Sequence, residues 1–453
     1  MHFLDIIERR YTGTPLSKKE WDTQYVIKMI REILKEFNLT YPAGSVIEFD
    51  EDIIRRFYMA GRALAVRSGI FDQDTERIIH FTEEEIDEAA MSQKKELTVG
   101  QKSDAYTFYT RRPEDRSVPG IVAGNPGCPM DEILFKATLE SWAKESCINM
   151  VTCGSIVDVD GYAVRGMEPA ELIAVRHELK YLNEVCIKVG RPYIGRLAAE
   201  SSVSQIGDLG AMGPDGMRAG DAHLVCFNNE LITNNDYMIR ASNNIDTGVL
   251  NATLACVMVN GLAGNAAGAA VCMIASMLCA NILYHVDYHL CHPIHMKYTA
   301  TSTRECMWLQ SVVNQAFSMC APCIIIDDIY PKSGAGTKEL LREVAANALV
   351  ITTTGGHLEG VGSCDGLKPN CSGLEVRMMG AVGRAAAEQG ITRKQADIMV
   401  RKLLGKYETV FDNGNEGLPF EKVYNQEHIE PQKFWLQMFE EVTDELKEMG
   451  LNI

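Results

Sequence analysis

The chain lacks an excess of basic residues. It carries 44 Lys and Arg against 61 Asp and Glu, a formal net charge of -17. That balance excludes sustained binding to a phosphate backbone, which needs clustered cations. It is compatible with cationic or neutral small substrates. No internal repeat, low-complexity tract or block of like charge is present, so solenoid and disordered architectures are set aside. The first ten residues, Met1 to Arg10, interrupt a short apolar run with acids and do not read as a signal peptide. With 14 scattered cysteines in a chain of 453 residues, the expectation is free thiols in a reducing cytoplasm.

Several catalytic signatures are also missing. There is no HExxH, no paired CxxC, no GxGxxG and no Gly-x-Ser-x-Gly elbow. Gly261 to Gly268 and Ser333 to Lys338 are glycine loops without phosphate-loop spacing. Charged side chains are absent from Thr247 to Val286, a length that could cross a bilayer. However, Asn251, Asn260, Asn265 and Asn281 interrupt that stretch, and Gly264 to Gly268 marks a turn. A buried strand at Cys256 to Val259, a glycine loop and a small-residue helix at about Ala269 to Leu283 account for it better.

What is present is ordinary for a globular enzyme: 46% hydrophobic and 23% charged residues. The first hundred or so residues have helical, amphipathic spacing. Ser17 caps a helix through Trp21 and Ile33, another covers Glu51 to Arg67, and Thr82 opens a third. From Pro119 the rhythm changes to short apolar runs between helix-length inserts. These runs are Gly120 to Val122, Cys147 to Thr152, Tyr193 to Leu197, His223 to Phe227, Cys256 to Val259, Ile294 to Tyr298, Ile324 to Ile326 and Leu349 to Thr353. Eight of them predict an α/β fold, a (β/α)8 TIM barrel. Residues 1–115 form an N-terminal helical extension packed on the barrel, and residues 116–453 form the barrel catalytic domain.

Each run ends in polar or glycine-rich residues, such as Asn228-Asn229-Glu230, and barrel active sites collect at C-terminal strand ends. The candidate acids are Glu200, Asp221, Glu230, Glu305, Asp327, Asp328 and Glu375, for most of which a helix cap or ion pair is the plainer role. Asp328 and Tyr330 stand apart, because they follow an apolar run and offer a carboxylate and an aromatic face for a cation. The cluster His285, Asp287, His289, Cys291, His292 and His295 has zinc-type ligands without established spacing, and Pro293 breaks any helix through it. Cys320-Ala-Pro-Cys323 is the one CxxC, placed where a helix N-terminus would not activate it.

One segment says more. Residues 190–200, Gly-Arg-Pro-Tyr-Ile-Gly-Arg-Leu-Ala-Ala-Glu, resemble the strand on which methanogen monomethylamine methyltransferases carry pyrrolysine, an electrophilic imine. Ser372 to Gly380, Pro293-Ile-His295, Ser302 to Glu305, Asp221-Ala-His223, Asn229-Glu230-Leu231 and Trp21-Asp22 resemble that family in colinear order. The likeness spans nearly the whole chain. It implies a barrel enzyme, assembled as a homo-oligomer, that docks a separate protein carrying a corrinoid (cobalamin), with no tightly bound metal of its own.

The departures fall in the pocket. Leu197 stands at the pyrrolysine position, Leu224 and Leu254 stand where the family has pocket acids, and Asp328 replaces a glutamine beside a retained Tyr330. The resemblance therefore implies catalytic roles for Asp328, Tyr330 and Glu200, and substrate contacts from Leu197, Leu224, Leu254, Asp221 and His295. Without the imine, monomethylamine is the donor most in doubt. A quaternary ammonium leaves as a neutral amine and needs no proton, so an apolar wall with one anionic side suits it. Secondary or tertiary N-methyl donors fit if Asp328, Glu200 or Tyr330 supplies a proton. The expected function is pyrrolysine-independent methyl transfer from a methylated amine to the partner's corrinoid. A zinc-dependent barrel enzyme and a non-catalytic corrinoid-protein-binding paralogue remain the alternatives.

Overall fold

A computed structural model of the chain describes residues 3–228, 230–362 and 364–453. Eight parallel strands close into a barrel: β1 (Ile121–Ala123), β2 (Met150–Val151), β3 (Gly195–Ala198), β4 (Ala222–Phe227), β5 (Leu250–Ala255), β6 (Tyr288–Cys291), β7 (Ile325–Ile329) and β8 (His357–Gly360). They neighbour one another in sequence order, and β8 closes against β1. A principal helix follows each strand: α1 (Glu132–Ala143), α2 (Pro169–Lys188), α3 (Gln205–Ala211), α4 (Asn235–Thr247), α5 (Ala266–Leu283), α6 (Arg304–Cys320), α7 (Lys338–Thr354) and α8 (Gly373–Gln389). The (β/α)8 reading of the sequence is what the chain adopts.

Alternation along each strand divides two cores. Val122, Met150, Leu197, Leu224, Ala252, Leu290 and Ile326 pack together inside the barrel. Their chain neighbours Ala198, Val225 and Cys291 face the helices instead. The N-terminal end of the barrel is plugged by an antiparallel hairpin, Glu96–Val99 with Tyr106–Tyr109. It contributes Leu97, Val99 and Phe108 to the inner core. Gly100 N–H donates to the Gly220 carbonyl at 2.9 Å, just ahead of β4, which fixes that end.

The N-terminal region is less helical than its periodicity predicts. Ser17 and Thr82 do form capping boxes, and the helix Glu51–Ser68 is present. Between these helices Ile70–Asp72 and Arg77–Ile79 pair as strands, and Ile70–Asp72 also pairs with Ile232–Thr233 after β4. Short strands of this kind draw their apolar partners from distant segments, which local spacing does not record.

Three expected strands lie elsewhere. Met258–Val259 and Ile294–His295 form a separate two-stranded parallel sheet at the lip, while the barrel uses Leu250–Ala255 and Tyr288–Cys291 before them. Each connection holds two apolar runs in succession, and periodicity does not say which one closes the barrel. Leu349 to Thr353 is not a strand but the last turns of α7. There Thr353 and Thr354 hydroxyls donate to the carbonyls of Leu349 (2.7 Å) and Val350 (2.8 Å), four residues back. Those bonds let β-branched residues sit in a helix. Gly355, with φ of 105°, ends α7. At Gly356 a Cβ would lie 2.2 Å from Asp327 Oδ2, so only glycine lets the chain turn into β8.

The uncharged stretch is resolved as expected. α5 is long and apolar enough to span a membrane, yet every residue of it is buried within the fold. Asn265 caps it, accepting from Ala267 and Gly268 amides at 3.1 and 3.3 Å. Glu51–Ser68 packs tightly on it, because a Cβ at Gly61 would lie 2.4 Å from Ile274 Cγ2.

Candidate functional site

The C-terminal end of β7 sets the arrangement. Alternation turns Asp327 outward, where Asn314 Nδ2 donates to it at 3.0 Å. It turns Asp328 inward. There His292, just past β6, donates from Nδ1 to Asp328 Oδ2 at 2.5 Å, and both side chains are buried. Gln310 Nε2 holds the Asp328 carbonyl at 3.1 Å. Tyr330 reaches across the mouth, its hydroxyl donating to the Pro126 carbonyl. The His292 ring meets it edge-on, with centroids 4.6 Å apart. Tyr330 also lies against Gly362, where a Cβ would sit 2.3 Å from the ring. The aromatic face is therefore fixed by packing, not free to swing.

A third acid lies beside Asp328. Glu359 on β8 is its register partner, points inward and is fully buried. The expected strand was placed one segment too early, so this residue did not emerge from the sequence. The signal available was the pair Gly355-Gly356 followed by an apolar–acidic alternation. Glu200 completes the group from the turn after β3, where Ala199 has φ of 59°. Glu178 on α2 shapes that turn, accepting from the amides of Glu200 (2.9 Å) and Ser201 (2.7 Å) and from the Cys153 thiol (3.1 Å).

These carboxyls are short of partners. Among the described residues no N–H or O–H of another residue type reaches Glu359, Glu200 Oε1 or Asp328 Oδ1, and the Glu359 carboxyl is within hydrogen-bond reach of the Asp328 carboxyl alone. Burial pushes the Glu200 and Glu359 carboxyls well above the usual carboxylate range. Neighbouring acids add to this, Glu178 and Asp328 for Glu200, and Asp328 and Glu200 for Glu359. Arg240 opposes the shift at Glu200 but is itself committed to Asp208 at 2.9 Å and to the Leu224 and Ser202 carbonyls. Like charges so placed resist ionising together unless a cation joins them.

The leucines lie below and beside the acids. Leu197 is completely buried in the inner core, Leu224 is 7% exposed, and Leu254, nearer the mouth, is half-buried. All three belong to the inner core of the barrel, below the level of Asp328 on the strands. His295 stays at the lip, its Nε2 against Asn260 Nδ2 at 3.0 Å and its ring stacked on Tyr298 at 4.7 Å.

Asp221 requires a correction. It precedes β4, at the opposite end of the barrel from the mouth, so it cannot contact a substrate held by Asp328. A six-residue strand spans about 20 Å. Asp221 instead pairs with Arg196 (2.5 Å) and Arg218 (3.1 Å), locking β3 to β4. Other acids take the plainer roles foreseen for them. Glu375 caps α8 through Ser372 and is pushed by burial to about 7. Glu305 lies in the first turn of α6. Glu230 does not take such a role: its carboxyl is buried, with Oε1 unpartnered among the described residues and burial pushing its pKa up, while its backbone carbonyl accepts from Trp21 Nε1 at 3.3 Å. Asn229 lies outside the described residues.

The histidine-rich cluster is dispersed. His289 faces outward toward Phe317, His292 inward to Asp328, and His295 lies on the lip sheet. Among the described residues no three His, Cys, Asp or Glu are grouped to hold a metal. No disulfide forms among the described residues, and burial raises Cys323 to about 12, the reverse of an activated CxxC thiol.

Chemically, the mouth offers a buried cluster of carboxyls, an aromatic ring held by packing and an apolar core beneath, groups that a small organic cation could bring to ionise. Comparison with known proteins gives this geometry a context. The family model "Monomethylamine methyltransferase MtmB" matches residues 1–451. Monomethylamine methyltransferase MtmB2 of Methanosarcina acetivorans is 27% identical over 450 residues, covering 99% of this chain and 97% of that protein. MtmB1 of Methanosarcina barkeri is 26% identical over 449 residues with the same coverage. The crystal structure of the Methanosarcina barkeri monomethylamine methyltransferase superposes with a TM-score of 0.95 at 26% identity, covering 99% of this chain and 98% of that one. A hydroxylamine complex of MtmB matches equally well.

Proposed function

We propose a function from one premise: the chain belongs to the monomethylamine methyltransferase MtmB family. Family membership supports a methyltransferase. Our reading is that this chain moves a methyl group from a methylated amine to the reduced corrinoid of a separate partner protein docked at the barrel mouth, without pyrrolysine. What supports it is the resemblance of residues 190–200, which sets Leu197 against the pyrrolysine position, together with the buried acids Asp328, Glu200 and Glu359 gathered at the mouth.

In this reading the residues bind and orient; they do not form a covalent adduct. Asp328, held by His292, supplies negative charge for the onium nitrogen. Tyr330 offers its ring face. Leu197, Leu224 and Leu254 crowd the N-methyl groups and exclude water, so that one methyl points toward the mouth. The C–N bond breaks with its electron pair staying on nitrogen, and the amine departs neutral. The corrinoid supplies the nucleophile. A quaternary ammonium meets these demands most simply.

The unpartnered carboxyl oxygens favour a second donor type on the same path, a protonated tertiary or secondary amine. Its N–H would satisfy one of those oxygens, and it too departs neutral. The test is anaerobic incubation of the purified chain with reduced corrinoid protein and a panel of quaternary, tertiary, secondary and primary methylamines. Methylation of the corrinoid, followed by absorbance, should occur with a quaternary or N–H tertiary donor. Methylation from monomethylamine alone, or from none, would overturn the reading.

A further inference from the structure

Two carboxyls come within hydrogen-bond reach only with a proton between them, because two carboxylates repel and neither can donate. Glu359 and Asp328 are such a pair, register partners on β8 and β7, both buried. Among the described residues no other donor reaches Glu359. The groups facing the pair do not replace that proton. Glu200, from the turn after β3, is itself kept protonated by burial and by Glu178. His292 is engaged at Asp328 Oδ2, 2.5 Å away. Burial pushes the Tyr288 and Tyr330 hydroxyls well up and the Cys226 and Cys256 thiols to about 12 each, so these four stay neutral. Arg240 is committed to Asp208, and Arg196, the one arginine or lysine within a barrel strand, faces outward to Asp221. The shared proton is thus the counter-charge that lets two buried acids sit together. An ammonium cation can take its place.

We infer that the mouth is a proton–cation exchange site: a small organic ammonium enters by displacing the proton shared by Glu359 and Asp328, and about one proton leaves for each cation bound. The inference rests on the donor class proposed above and adds how the site is held when empty. Without the cation, a neutral acid avoids a second uncompensated buried charge. With the cation seated, both carboxylates face positive charge. The Glu359 O–H bond then breaks with its electron pair left on the carboxylate, and buffer takes the proton. Affinity therefore rises with pH while the empty pair holds its proton, and levels off once solvent has already removed it.

Tetramethylammonium is the probe, because it has no proton of its own to lose. Titration calorimetry on the full chain, without corrinoid, is run in two buffers of different ionisation heat, and the difference counts the protons released. About one proton per cation should leave, and the Kd should fall about tenfold per pH unit between about pH 5 and 7. Glu359→Gln keeps a donor for Asp328 but has no proton to lose, so its Kd should stay within about threefold over that range. Glu200→Gln leaves the Glu359–Asp328 contact in place and should keep the release. Binding without proton release, or no binding at any pH, overturns the inference. Release that persists in Glu359→Gln and vanishes in Glu200→Gln takes the role from Glu359. The two readings fail separately. Proton-coupled binding without methyl transfer sinks the corrinoid reading alone. Methyl transfer from a quaternary donor whose Kd does not change with pH sinks this inference alone.

Discussion

Glu359 places a test of the site within reach of simple thermal melts. It is fully buried, its only hydrogen-bond partner among the described residues is the Asp328 carboxyl, and it holds its proton well above the usual carboxylate range, first through burial and then through Asp328 and Glu200. The unfolded chain releases that proton in the ordinary range; the folded chain keeps it. Between those two points the native state binds more protons, so stability is full at low pH and declines as pH rises. The slope is about 1.4 kcal/mol per pH unit for one such group. For 453 residues, an unfolding entropy near 2 cal/mol/K per residue makes 1 kcal/mol equivalent to about 1 °C. Glu359→Gln should therefore match the parent at pH 4 and gain about 1.5 °C on it with each pH unit above the usual carboxylate range, until the buried pKa is passed. Calorimetric melts of both proteins from pH 4 to 8 provide the assay. Adding tetramethylammonium at about 100 times its Kd should raise the parent Tm by about 3 °C and the variant by less. Parallel Tm curves for the two proteins would refute the account of Glu359 as a buried acid held for a cation.

Asp328→Asn removes the charge that His292 orients, and the affinity for an onium donor should fall about 30-fold by calorimetry; equal affinity would remove its proposed role. Gly362→Ala must displace the Tyr330 ring from 2.3 Å, and cation affinity should drop about fivefold or more, visible as a raised Kd with an unchanged melting slope against pH. Asp221→Asn leaves the buried Arg196 without its charge partner, which should lower stability by about 3 kcal/mol or more while leaving the donor affinity of the folded protein unchanged. A changed donor affinity there would reinstate Asp221 as a substrate contact.

The sequence by itself determined the class of fold and the chemical oddity at its centre. Eight apolar runs between helix-length inserts are a local signal of a (β/α)8 barrel, and the capping boxes at Ser17 and Thr82 depend only on residues three apart. The colinear motifs likewise need no coordinates, and their resemblance to the family sets Leu197 against its pyrrolysine position. Asp328 and Tyr330 were readable because they directly follow an apolar run.

Tertiary structure decided which runs close the barrel and which acids meet. Leu349 to Thr353 has strand composition, yet its threonine hydroxyls bond back to helical carbonyls and a glycine pair moves the strand to His357–Gly360. That one displacement hid Glu359. Asp221 and Asp328 look equivalent as acids at strand boundaries, but they lie at opposite ends of the barrel. Spacing along the chain records the local hydrogen-bond pattern, whereas the meeting of Glu200, Asp328 and Glu359 from β3, β7 and β8 depends on ring closure, which no local spacing encodes.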